Sequence, residues 1–188
     1  MADISLIYYS KSDITKTLMS ATQTAIEEAG LETFSHGIKG TEIVDGRFVN
    51  ELVLEELLTS RAVIFGSPTY MGNVSAQFKT FADATSVFWT DQVLSGKLAA
   101  GITSGTGLNG DQTNTLQYFS TLSSQHGMLW VGLNASYGEH SELNRLGCQL
   151  GVVAQSTDGR VHPQDLLSAQ FLGKRMAKLT KALCADKP

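Results

Sequence analysis

The stretch that most constrains this chain is Ala62–Gln77, AVIFGSPTYMGNVSAQ. Its apolar run Ala62–Phe65 is short, unbroken and closed by Gly66-Ser67-Pro68, and a helical pattern starts soon after Asn73. An apolar run bounded by turn residues reads as a strand buried on both faces, which is the habit of parallel sheets. Parallel strands need crossovers, usually helical. The flanking chain should therefore alternate strand and helix, with any ligand bound beyond the carboxyl ends of the strands.

The remaining sequence supplies that alternation. Ile4–Tyr9 is a first strand, followed by a helical stripe at Leu18, Ala21, Ala25, Ile26 and Ala29 that Gly30 closes. Leu31–Ser35 reads as a second strand, His36–Gly46 as loop and Val49–Leu58 as a second helix. The third strand, Ala62–Phe65, leads to a helix over Val74–Trp89 with Phe78, Phe81 and Ala82 inward. Lys97–Thr103 is a fourth strand, Ser104–Gln112 a polar loop, and Gln112–Gln125 a helix with Leu116, Phe119 and Leu122 apolar. Met128–Leu133 is a fifth strand. From Asn134 to Val161 the pattern blurs, and Tyr137-Gly138, Leu146-Gly147 and Leu150-Gly151 indicate irregular structure. Pro163 opens a last helix, to Ala182, striped by Leu167, Phe171, Leu172, Met176, Leu179 and Leu183. The expectation is an α/β protein: one domain, residues 1–188, with a three-layer, doubly wound, five-stranded parallel sheet in the order 2-1-3-4-5.

Charge and cysteine usage narrow the function. A net charge of −4 without a Lys/Arg cluster argues against nucleic acid as a partner. Cys148 and Cys184 have no metal or redox spacing and read as reduced thiols. The start MADISLIYYS lacks the basic region of a signal peptide, and no apolar run approaches the roughly 18 residues of a membrane span. The expectation is a cytoplasmic protein with no membrane span. His36, His140 and His162 stand apart from any partner pattern, no metal-ligand spacing occurs, and no nucleophile elbow is present.

A doubly wound sheet brings the loops after strands one, three and four to one edge. The first, Ser10-Lys11-Ser12-Asp13-Ile14-Thr15, sets hydroxyls at a helix N-terminus, which suits a bound phosphate but on this loop alone reads first as an ordinary N-cap. The second carries Pro68-Thr69-Tyr70-Met71-Gly72-Asn73, with an aromatic able to lie along a flat ring or simply to anchor the loop. The third, Thr103-Ser104-Gly105-Thr106-Gly107, has glycines that allow close backbone approach to a ligand.

Together these loops resemble a known family. Ser10–Thr15 looks like the flavodoxin phosphate signature, hydroxyl-x-hydroxyl-Gly-x-hydroxyl, departing at Asp13 where Gly is usual. Ser67–Ser75, continued through Gln77, Lys79-Thr80-Phe81, Asp83 and Thr85 to Trp89, is similar to the flavin-flanking loop of the tryptophan-repressor-binding-protein-like (type IV) NAD(P)H:quinone oxidoreductases. Thr103–Gln112 resembles that family's Ser-Thr-Gly-Thr-Gly-Gly-Gly-Gln loop, with Leu108 and Asn109 in place of small residues. His126-Gly127-Met128 matches its His-Gly-Met. The central insertion is short, and Leu143–Ser156 looks more like the NAD(P)H-dependent FMN reductases of the same flavodoxin-like superfamily.

The resemblance implies FMN and NAD(P)H as cofactors and a quinone as acceptor. It assigns the phosphate to Ser10, Ser12 and Thr15, and the flavin ring to Pro68–Asn73 and Thr103–Gly107. His126 and Trp89 become candidate catalytic residues at the acceptor, Trp89 from a neighbouring subunit of a homodimer or homotetramer. Read without the resemblance, His126 is more often a capping or surface residue at a helix end, and Trp89 is equally a core residue. Two alternatives stay open: a flavodoxin-type electron carrier serving a protein partner, and a flavodoxin-like scaffold that has lost FMN.

Overall fold

A computed structural model describes residues 2–136 and 138–185, with only the backbone of Cys184 and Ala185 described. Tyr137, expected in irregular structure, and the Cys184 side chain lie outside the described residues. In chain order the elements are β1 Ile4–Tyr8, α1 Ile14–Glu28, β2 Thr33–Gly37, a 3₁₀ turn Gly40–Glu42, β3 Ile43–Val44, β4 Arg47–Phe48 and α2 Glu51–Thr59. There follow β5 Ala62–Tyr70, β6 Asn73–Val74, α3 Ala76–Ala84, a 3₁₀ turn Thr85–Phe88 and β7 Leu98–Gly105. The chain closes with α4 Asp111–Gln125, β8 Leu129–Trp130, β9 Val152–Gln155 and α5 Pro163–Ala185.

The parallel sheet has the order β2-β1-β5-β7-β8, with β9 also pairing with β7. Counting only the main strands, this is the 2-1-3-4-5 order expected. Alternation along β5 feeds both faces: Ala62 and Ile64 join the core under α1 and α5, while Val63 and Phe65 join the core under α2, α3 and α4. The second core is built on aromatic edges, with the Phe78 and Phe119 rings 4.9 Å apart and inclined at 66°. On the other face α1 and α5 approach closely. A Cβ on Gly173 would come within 2.5 Å of the Thr22 carbonyl oxygen, and the Thr22 hydroxyl donates to the Ala169 carbonyl oxygen at 3.0 Å.

Four sequence expectations change. The fifth strand is not Met128–Leu133 but two short pieces on one edge of β7. β8 pairs with Leu98–Ala99, and β9 pairs with Ile102–Gly105 after the chain leaves and returns through residues 131–151. Thus Asn134–Val161, expected to be irregular, contains a buried strand. The segment His36–Gly46 is not all loop, since β2 runs to Gly37 and β3 pairs with β4 around Asp45-Gly46. The third strand does not stop at Phe65 either. Ser67 and Pro68 stay in register with Thr103 and Ser104, and the chain turns back only at Met71-Gly72. On α5 the expected stripe is partly misplaced: Leu167 and Leu183 are exposed, whereas Ala169, Leu172, Met176 and Ala177 are buried.

Candidate functional site

The carboxyl edge of the sheet carries three loops in register. Tyr8 lies opposite Gly66, and Ser67 and Pro68 lie opposite Thr103 and Ser104. The loops after β1, β5 and β7 are therefore neighbours.

The first loop turns at Asp13, which is left-handed at φ 61°, the conformation for which a glycine would be expected. Asp tolerates this conformation through its short polar side chain, so the loop keeps its path into α1. Its carboxylate and burial together, burial foremost, raise the Tyr8 phenol above its ordinary range. Lys11, Ser12 and Asp13 are exposed, and the Ser10 hydroxyl accepts the Lys16 backbone N–H at 3.2 Å. A helix N-terminus aims amide donors at the loop before it, as α1 does here. Ile14 and Thr15 are buried: Ile14 sits in the core, and the Thr15 hydroxyl shares a 2.9 Å hydrogen bond with Ser104.

The second loop is a tight hairpin between β5 and β6. Met71 at φ 48° and Gly72 at φ 78° are its central residues, the pattern of a type I′ turn. Met71 is fully exposed and Tyr70 partly so, with the Tyr70 phenol raised by burial and by Tyr9. Asn73 is exposed and accepts the Val74 N–H on its side chain at 2.8 Å.

A chain of hydroxyls joins the second loop to the third. The Thr103 hydroxyl donates to the Ser67 carbonyl oxygen at 2.8 Å. Its one proton being spent, it accepts from Thr69 at 2.9 Å, and Thr69 in turn accepts from Thr115 at 2.8 Å. Ser67, Ser75, Thr103, Ser104 and Thr115 are all buried, so the edge is stiffened by polar groups that satisfy one another. Pro68 is buried within β5 beside them.

Above this lattice a cavity of about 530 Å³ opens between the second and third loops. Thr69, Met71, Gly72, Gly105, Thr106 and Gly107 line it, with Asn109, Asp111 and Gln112. A Cβ on Gly72 would meet nothing within 4 Å, and one on Gly105 would strike Gln112 at 2.6 Å. Gln112 also donates to the Gly107 carbonyl oxygen at 2.6 Å. Asn109, Asp111 and Gln112 were not among the candidate residues. They belong to the same loop, and only the helix start at Asp111 turns them to the cavity.

His126 and Trp89 lie elsewhere. α4 begins at the third loop and runs back across the sheet for 15 residues, about 22 Å. His126 caps its far end beside the start of β7, where the Gly96 N–H donates to the Gly127 carbonyl oxygen at 2.9 Å. It is buried, its Nε2 shares a 2.9 Å hydrogen bond with Thr85, and burial holds its imidazole below the ordinary histidine range. Trp89, 53% exposed, follows the same 3₁₀ turn as Thr85. Neither residue lines the cavity between the second and third loops.

Hydroxyl- and glycine-bearing loops at the carboxyl edge of a sheet in this order define a flavodoxin-like, mononucleotide-binding class. The model of the NADPH-dependent FMN reductases matches residues 9–141. The chain is 32% identical to "Flavodoxin FldP" of Pseudomonas aeruginosa, over 98% of this chain and all of that one. It is 40% identical to an "NAD(P)H dehydrogenase (quinone)" of Archaeoglobus fulgidus, over 69% of this chain and 64% of that one. Among solved structures, a flavodoxin, WrbA-like protein from Agrobacterium tumefaciens superposes with a TM-score of 0.76 at 32% identity, covering 97% of this chain and 99% of that one. The chain belongs to the NADPH-dependent FMN reductase family. The cofactors expected from the sequence, FMN and NAD(P)H, are those of this family.

The residues present fit FMN. The Asp13 turn keeps the glycine-like path of the first loop into α1, the cavity beside Gly72 is open, and the polar lattice beneath is already satisfied.

Proposed function

We propose that this chain is an FMN-dependent NAD(P)H oxidoreductase that reduces quinones by two electrons. The single observation that carries the reading is the cavity between the second and third loops, set beside a phosphate-type loop on one sheet edge. When bound, FMN supplies a two-electron relay between a nicotinamide and a quinone in one pocket. The protein's part is binding and orientation. Ser10, Ser12 and the first-turn amides of α1 hold the phosphate. Pro68–Asn73 and Gly105–Gly107 flank the ring, with Tyr70 beside it as a protonated phenol that can donate a hydrogen bond. Thr103 acts from behind, since its hydroxyl proton is committed to the Ser67 carbonyl oxygen, and Thr15 and Ser104 support the loops from beneath through the hydrogen bond they share. The quinone acceptor is supported by the names of relatives such as that of Archaeoglobus fulgidus.

His126 and Trp89 enter this reading through a second copy of the chain. Trp89 stands with Val87 and Val93 as an exposed apolar group at the amino edge, and His126 supports it through Thr85. A homodimer or homotetramer that sets this edge over a neighbour's cavity would complete the acceptor site. Acidic charge supports the absence of a nucleic-acid partner, and thiol usage supports a cytoplasmic setting. No helix among the described residues is long and apolar enough to cross a membrane. Two apolar cores on the faces of one sheet support a single domain over residues 1–188.

The test is anaerobic titration of the FMN-supplemented protein with NADPH, followed by absorption. Bleaching in a single two-electron step, reversed by benzoquinone, is the expected result. Bound flavin that NADPH does not reduce would favour the electron carrier, the reading supported by the likeness to "Flavodoxin FldP".

A further inference from the structure

The segment between β8 and β9 returns to the sheet through a buried ion pair. Asp165, in the first turn of α5, is 1% exposed. It accepts two hydrogen bonds from Arg145, from Nε at 2.8 Å and from Nη2 at 2.7 Å. The same two side chains hold the main chain of Gln155 from both sides. Its N–H donates to Asp165 at 3.2 Å, and its carbonyl oxygen accepts from Arg145 Nη2 at 3.2 Å. Planar, bidentate Arg–carboxylate pairs fix orientation as well as distance.

What Gln155 and its neighbours touch is the third loop. The Gln155 side chain donates to the Thr106 carbonyl oxygen at 3.2 Å, and the Ser156 N–H donates to the Gly105 carbonyl oxygen at 3.0 Å. Next to Arg145, the Leu146 carbonyl oxygen accepts from the Asn109 side chain at 2.7 Å. Three points of a glycine-rich loop are thus tied to residues that one ion pair locates. A loop with glycines at 105, 107 and 110 has little conformational preference of its own and needs such ties.

We infer that Arg145 and Asp165 are positioning residues for the flavin site, setting the Gly105 and Thr106 peptide groups against the cofactor through Gln155. This rests on the reading that the third loop binds FMN. A buried pair exchanged for apolar residues of similar size can keep a fold, and the midpoint potential of the bound flavin reads positioning separately from stability.

The experiment compares the full-length wild type, R145M/D165M and Q155A by FMN fluorescence quenching, midpoint potential of the bound flavin and thermal melting. The double variant is expected to stay folded but to melt below the wild type, since the Gln155 N–H loses its acceptor, and to bind FMN about tenfold more weakly with a shifted potential. Q155A, which loses one loop hydrogen bond, is expected to weaken FMN about threefold. Wild-type affinity and potential in both folded variants would overturn the inference and leave the FMN reading standing. Should the double variant not fold, Q155A alone decides, since wild-type affinity and potential there overturn the inference. A wild type that binds no FMN would overturn the reading of the site itself.

Discussion

The two edges of this sheet differ in what holds them, although each contains left-handed backbone, the amino edge at Gln92. At the carboxyl edge the backbone is bent into rare conformations, with left-handed Asp13 and Met71, and buried hydroxyls lock the loops together. At the amino edge Trp89, Val87 and Val93 stand exposed over a buried histidine whose Nδ1 has no hydrogen-bond partner. The first edge has the traits of a preorganised small-molecule site, in which strain is held by surrounding polar contacts. The second has the traits of a surface that another protein covers. The proposed function gives FMN to the first edge and contact with a second copy to the second, and each part of that proposal can be broken separately.

The largest effect is expected at Thr69, the middle of the hydroxyl chain. Thr69→Val keeps the shape but leaves the Thr115 proton without its acceptor and Thr103 without its donor. The expected cost is about 1–3 kcal/mol of stability in urea unfolding, with FMN bound about tenfold more weakly by fluorescence titration. Unchanged FMN affinity would show that the lattice supports the fold and not the site.

Asp13 sharpens the same edge in the other direction. Its αL backbone costs on the order of 1 kcal/mol, and its carboxylate stands in the loop assigned to a phosphate. Like charges about 4 Å apart in water repel by about 1 kcal/mol. Asp13→Gly is therefore expected to tighten FMN by about fivefold, with the gain shrinking as salt is added. An affinity that falls instead would mean that the carboxylate turns from the phosphate and orders the loop.

At the amino edge the expected signal is in pH. Burial lowers the His126 imidazole from its ordinary 6.5, so the unfolded chain binds its proton more readily than the folded one. The stability that the neutral ring contributes is complete above the ordinary histidine value and is lost as pH falls through the lowered one. Thermal midpoints measured from about pH 8 down to about pH 5 should fall in the wild type and fall less in His126→Gln. FMN affinity in the two proteins should follow the same pH curve, since α4 separates the residue from its own chain's loops.

The contrast also explains what was legible in the sequence. α4 is expected at Gln112–Gln125 and is observed at Asp111–Gln125, because its apolar spacing and the glycines before it agree. The three loops were legible because strand ends in a doubly wound sheet must meet. β9 was not: Val152–Gln155 spans four residues, and only pairing with Ile102–Gly105 makes a strand of it. The placement of His126 was illegible for a related reason. A motif gives the order of residues along a helix, while the helix's direction across the sheet decides which edge its end meets.

Trp89→Ala is the smallest perturbation of the folded chain and the most direct test of the comparison. The ring is about half exposed and adds little to the core, so the loss of stability should stay within about 0.5 kcal/mol. FMN affinity in the isolated chain should not move, because no part of the cavity lining comes from this edge. If the amino edge meets a second copy, sedimentation should show a lighter species, and quinone turnover should fall while FMN stays bound. If mass and turnover both stay at wild-type values, the exposed apolar group is not an assembly surface. The acceptor site would then be complete within one chain, built from the second and third loops alone.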